Sequence, residues 1–251
     1  MKVRAVSALL LSGMVGAMLA TTAGCRGTGL FRQYEYEEDV YLSLDRTATI
    51  YVNSSIPALD ALRGASFDTR PTARVNRAAV RAFFESPVTH VVRVSSSLRD
   101  GRRFVYVRLE VSDVRRLSET KPFAWSDYQF GRKDGLFDYR QAIGASAGKA
   151  VGDVGWNGRE LVAFRLHLPS RIEYHNTDGV RRGNILVWEQ PLADRLRGVP
   201  LTLVARMETE SILYRTLWLF GLTLLAVGLT FGVVIWWVLR HGARAEHAAT
   251  P

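Results

Sequence analysis

Cysteine is almost absent. Cys25 is the only one in 251 residues, so no disulfide can form within the chain. A cysteine-rich metal site is excluded with it. Histidine is scarce too. His90, His167 and His175 in the middle of the chain lack the helical or hairpin spacing that would let two of them share a metal. No Gly-x-Ser-x-Gly elbow is present to expose a nucleophilic serine. Glu37, Glu38 and Asp39 are consecutive in a strand pattern, where neighbours point to opposite faces, so they define no acid–base pair. Gly144 to Ala150 resembles a phosphate-binding loop, but it has three residues between its glycines instead of four. Ala150 also stands where a metal-binding Ser or Thr is needed. The expectation is no enzyme, no cofactor and no metal. A hydrolase assembled from distant residues is the third reading.

Charge is missing from Leu217 to Leu239, a run of 23 residues that includes fourteen Leu, Ile, Val or Phe. A helix of that length reaches about 35 Å, enough to cross a hydrocarbon core of about 30 Å. Arg215 bounds the run on one side and Arg240, His241 and Arg244 on the other, with Trp218 and Trp236-Trp237 near its ends. The segment 216–239 is therefore expected to be a transmembrane helix, followed by a short basic tail, 240–251, on the cytoplasmic side. Gly228 and Gly232 form a Gly-x-x-x-Gly pair, and Gly221 lies near the same face. Bare positions of this kind let a second helix approach closely, so they are the candidate interface with another membrane helix or a second copy of the chain.

The N-terminus shows a complementary pattern. Lys2 and Arg4 precede an uncharged apolar stretch from Ala5 to Ala20, then small residues and Cys25. This is the layout of a secretory signal over 1–24. The small residues before Cys25 look like a bacterial lipobox, although Thr22 stands where a Leu is usual. Acylation of Cys25 explains an unpaired thiol in an exported protein. A free thiol, an intermolecular bridge, ordinary cleavage near Ala23 or an uncleaved N-terminal anchor is the alternative. Residues 26–33 read as a tether, and 34–212 as an exported domain. The net charge of +9 suits an anionic bilayer or an acidic glycan, or serves solubility alone. Export argues against nucleic acid.

No Pro/Ser-rich linker divides the exported stretch of about 190 residues, so one domain is expected. Strand patterns dominate it: 35–44, 46–52, 88–97, 103–114, 161–168, 183–190 and 199–207. Asp100-Gly101 marks a hairpin turn. Two short helices are predicted. Ser55 to Gly64 carries a capping Ser, an early Pro and a terminal Gly, and Pro71 to Glu85 is capped by Asp68 or Thr69. Pro191 to Arg197 reads as a single helical turn, and Ala142 to Gly158 as a mobile, Gly-rich loop. The predicted class is α+β: an antiparallel β-sheet with two short helices on one face, plus the C-terminal transmembrane helix.

Phe123, Trp125, Tyr128, Phe130, Phe137 and Tyr139 gather six aromatics around a loop, Gly131 to Gly135. They form the candidate ligand groove for acyl chains, with Arg132 and Lys133 at its mouth for an anionic head group. The alternative is that these rings make the core of the domain.

The complete layout resembles the bacterial envelope lipoproteins of the LppM type: signal peptide, cysteine, β-rich exported domain, one C-terminal helix and a basic tail. Locally the resemblance rests on Leu168-Pro169-Ser170-Arg171-Ile172, then Asn176, Asp178-Gly179, Gly183-Asn184 and Trp188, read as a strand, a polar turn and a return strand. Thr22 and the loop at Gly144 to Gly158 depart from it. The resemblance implies a non-enzymatic, membrane-anchored envelope protein that binds a lipid or glycolipid, and it offers no catalytic residue. An accessory subunit of an inner-membrane complex, held through the helix to an envelope protein partner or as a homodimer, is the alternative.

Overall fold

The computed structural model describes residues 32–178 and 183–247. Cys25 and the signal and tether segments before residue 32 lie outside the described residues.

Among the described residues, ten strands form two sheets. The larger has the order β3-β4-β2-β1-β7-β9 and the smaller β5-β6-β10-β8. The strands of the larger sheet are β1 (Tyr34–Leu42), β2 (Ala48–Ser55), β3 (Thr89–Arg99), β4 (Arg102–Val111), β7 (Leu161–His167) and β9 (Ile185–Pro191). Those of the smaller are β5 (Ser126–Lys133), β6 (Leu136–Ile143), β8 (Ser170–His175) and β10 (Leu201–Ser211). The α+β class stands, with antiparallel pairing throughout except between β1 and β7, which run parallel. The expected single sheet is two, and both contribute to one hydrophobic core.

The inward face of β1 is set by strand parity. Tyr36, Glu38, Val40 and Leu42 point into the core, while Glu37, Asp39 and Tyr41 face outward. Ile50, Val52, Val107, Leu109, Phe164 and Leu166 line the same layer, and Tyr128, Tyr139, Leu203 and Met207 meet them from the smaller sheet.

Helix α1 (Ile56–Arg63) begins where the Ser55 hydroxyl accepts a hydrogen bond from the Ala58 amide at 3.2 Å. It stops at Gly64, whose φ of 68° is the left-handed conformation a helix terminus favours, and whose amide donates to the Asp60 carbonyl. All eight of its residues are buried, so it is an interior helix packed on β1, β2 and β4. Helix α2 (Arg77–Phe84) is shorter than its sequence pattern. Asn76 caps it in place of Asp68 or Thr69, accepting from Ala79 at 3.0 Å, and Glu85 ends it. Pro71 to Val75 stay irregular. Helix α3 (Leu192–Leu196) is the single turn expected after β9.

Strand β8 overlaps the strand that the resemblance places at Leu168 to Ile172, and has no counterpart among the strands expected from alternation. It is short, and Arg171, Glu173 and Tyr174 face solvent. It pairs with β10, while β9 pairs with β7, so the strands on either side of residues 176–184 belong to different sheets. The return hairpin read from the LppM-type resemblance is therefore not formed.

Helix α4 (Ile212–His247) follows β10 without an intervening residue. Its stretch Ile212–Arg240 is long and apolar enough to cross a membrane, and none of it is buried.

Candidate functional site

The aromatic residues singled out in the sequence divide into two groups. Phe123, Tyr128 and Tyr139 lie in the core, and Trp125 packs against it from a partly exposed position. These four surround a polar network. Glu38 falls on the inward face of β1, and its carboxylate is fully buried. Oε2 accepts from the Tyr36 hydroxyl at 2.8 Å and from the Arg63 guanidinium. Oε1 accepts from the Tyr128 hydroxyl at 3.3 Å and from the Gln141 amide at 3.2 Å. Arg63 also donates to the Pro122 carbonyl at 2.7 Å and stacks over the Trp125 ring at 3.8 Å. Arg195, completely buried, approaches the same indole at 5.4 Å. Its remaining partners are the Val199 carbonyl, Gln190 and the Gly144 carbonyl, and burial lowers its pKa, with repulsion from Arg63 adding to the effect. Burial also drives the pKa of Tyr36, Tyr128 and Tyr139 well above the usual tyrosine value. These rings are core, not groove: they wrap an ion pair that strand parity forces inside.

Phe130 and Phe137 are buried at the edge of the same core, 5% and 9% exposed, while Arg132 and Lys133 beside them are exposed. The two rings are diagonal neighbours across the β5–β6 hairpin, stacked with centroids 5.1 Å apart, and Arg132, directly opposite Phe137, lies over its ring at 5.1 Å. The hairpin turn is Asp134-Gly135, shorter than the predicted five-residue loop; Gly135 has a φ of 78°. Beside it is an open hollow of about 500 Å³, lined by Leu44, Asp45, Arg46, Arg115, Phe130, Gly131, Arg132 and Phe137. Lys133 opens on a neighbouring hollow shared with Arg115, Arg132 and Arg140. An apolar floor with arginines at the rim is thus present, but it needs Leu44, Arg46 and Arg115, which the sequence reading missed. Arg46 offers the signal that could have found them. It occupies the β1–β2 turn with a φ of 78°, a conformation that favours glycine, and its carbonyl receives the Val114 amide at 3.0 Å. The Arg115 guanidinium holds the Asp113 carboxyl below its ordinary range through an ion pair at 2.6 Å. Asp45 is held low by the Thr47 hydroxyl and amide.

A third feature is an aromatic row on the outer face of the larger sheet. His167 stacks on Tyr41 at 3.8 Å, Tyr41 meets Tyr51 edge-on at 5.4 Å, and Tyr51 stacks on Tyr106 at 5.6 Å. Arg165 bridges Glu37 and Asp39 beside it. Half-burial lowers the pKa of His167 and raises that of Asp39.

Gly221, Gly228 and Gly232 lie on α4, and a Cβ at any of them would meet nothing within 4 Å. Among the described residues no group of three or more His, Cys, Asp or Glu side chains is placed to hold a metal.

No protein-family model and no curated protein matches the chain. Among solved structures, the folded domain of the LppM protein of Mycobacterium tuberculosis, determined by NMR, overlaps 73% of this chain and 95% of its own length. The identity is 13% and the TM-score 0.40. An overlap so distant assigns neither family nor function.

Proposed function

We propose that the chain is a single-pass membrane protein whose 34–212 domain stands outside the cytoplasm and binds a lipid, a glycolipid or an envelope partner without performing chemistry. The observation that carries this is α4. Its apolar stretch Ile212–Arg240 is exposed along its whole length. In water that surface would be a far larger apolar patch than a soluble monomer presents, and a bilayer is the environment that hides it. The arginines after Leu239 favour a cytoplasmic tail, and the signal-like N-terminus with Cys25 supports export and acylation. The hollow floored by Leu44, Phe130 and Phe137 supports a binding role for the domain.

A phosphatase reporter fused near Leu201 should be active and one fused after Pro251 inactive. The opposite pattern overturns the orientation. Lipid extraction from the purified chain, followed by mass spectrometry, tests ligand binding. A second reading, an accessory subunit held by its helix, is favoured by the bare positions at Gly228 and Gly232. It predicts a co-purifying membrane protein and no retained lipid.

A further inference from the structure

The end of the domain from which α4 leaves carries a set of cations that meet from three parts of the chain. β6 runs antiparallel to β10, with Phe137 opposite Met207, so the β5–β6 turn lies beside the last residues of β10. β1 runs parallel to β7, with Tyr41 opposite His167, and the Pro169 carbonyl just beyond β7 accepts the Ile212 amide at 3.1 Å. The β1–β2 turn therefore sits at the same end. β4 pairs with β2 so that Val111 lies opposite Ala48, which brings Arg115 there too. Arg46, Arg115 and Arg132 rim the hollow, and Lys133 stands next to it.

Most other cations at this end are neutralised. Arg116 pairs with Glu119, Arg171 with Glu173 and Glu208, Arg206 with Asp134 and Asp138, and Arg215 with Glu208 and Glu210. Among the described residues Arg46, Arg132 and Lys133 have no carboxylate within ion-pair distance. The acids around them are already engaged: Asp45 by Thr47, Asp113 by Arg115, and Asp134 and Asp138 by Arg206. Excess positive charge thus gathers around an apolar floor, at the end where the chain passes into an apolar helix with no linker.

We propose that this hollow cradles the phosphate of an anionic phosphoglyceride in the bilayer that α4 crosses, between Arg46, Arg115 and Arg132 and over the exposed edges of Leu44, Phe130 and Phe137, so that the domain rests on the membrane by one chosen face. The proposal rests on α4 being a membrane anchor. Guanidinium forks suit phosphate oxygens, and basic residues beside a membrane helix are drawn to anionic lipid over a short, salt-screened range.

The test uses the full chain in nanodiscs of POPC alone or of POPC with POPG, followed by hydrogen-exchange mass spectrometry of peptides spanning 43–47 and 128–137. Exchange in both should slow at least about fivefold when POPG is present, and about 0.5 M salt should remove the effect. The double variant Arg46→Gln/Arg132→Gln should lose the protection while the β3–β4 hairpin keeps its exchange pattern, which reports an intact fold. Arg159→Gln, at the opposite end of the sheet, should retain it. Equal exchange in the two kinds of disc overturns the cradle but leaves the anchor standing. Equal protection by inorganic phosphate in POPC discs also overturns it, because the site would then take soluble anions. A chain that fails to enter either disc overturns the anchor reading and the cradle together.

Discussion

Glu38→Gln isolates the energetics of the buried network. The substitution changes few atoms but removes the carboxylate paired with Arg63, whose side chain is wholly inaccessible. Arg63 would keep its bond to the Pro122 carbonyl and its stacking on Trp125, while its charge would be uncompensated. The Gln amide would also present donors toward Tyr36, Tyr128 and Gln141, three of the groups that now donate to the carboxylate. Removing one partner of a buried ion pair costs about 3–5 kcal/mol. At about 2–4 °C per kcal/mol for a domain of this size, the melting temperature should fall by roughly 6–20 °C. The assay is a thermal or urea melt of the full chain in detergent, followed by tryptophan fluorescence, since Trp125 touches Arg63. The double variant Glu38→Gln/Arg63→Met removes the stranded charge and should recover at least half of the loss. A cost below about 1 kcal/mol for the single variant would refute the reasoning, because the pair would then be solvated or replaceable. A double variant less stable than the single one would refute the claim that stranded charge is what hurts.

Three further outcomes are expected. Arg46→Gly should stabilise the domain by about 1 kcal/mol in a urea melt, because glycine adopts the φ of 78° without strain; the same variant should weaken the POPG-dependent protection, which separates strain from function. The pKa of His167 is lowered by burial from its ordinary 6.5, so the unfolded chain binds its proton more readily than the folded one does. Stability measured by melts should therefore rise with pH through the range just below 6.5, and His167→Gln should remove that part of the slope. Gly228→Ile should reduce self-association, or the yield of a co-purifying partner, in membrane cross-linking, whereas an isoleucine placed off the Gly228–Gly232 face should not.

Local chemistry was readable wherever contacts are close in sequence. The Ser55 cap, the Gly64 stop and the Asp100-Gly101 turn are where their residue types placed them, and so is the apolar helix. What escaped depends on distant partners. The parallel pairing of β1 with β7 is set by a register between residues such as Val40 and Leu166, and nothing local to either strand announces it. β8 carries too few inward residues to show alternation; Ser170 and Ile172 are its buried ones. The rings of β5 and β6 looked alike in sequence. Tyr128 and Tyr139 are drawn to Glu38 and Gln141, whereas Phe130 and Phe137 lie farther along the hairpin beside Leu44 and the Arg46 turn. The hollow combines three stretches of chain, so only one of its walls could be seen from the aromatic cluster.

The junction at Ser211 and Ile212 has a further consequence. The last strand becomes the long apolar helix at a single peptide bond, and the Pro169 carbonyl fastens that point to the neighbouring strand. There is no stalk to pay out. A strand like β10, 11 residues long, measures roughly 36 Å. With α4 as the proposed membrane anchor, the head would work at fixed altitude, its roof about one strand length above the lipid. Whatever such a head met would itself have to come down to that height, either embedded in the same bilayer or lying against it, and a target held on a more distant layer would be beyond its arm.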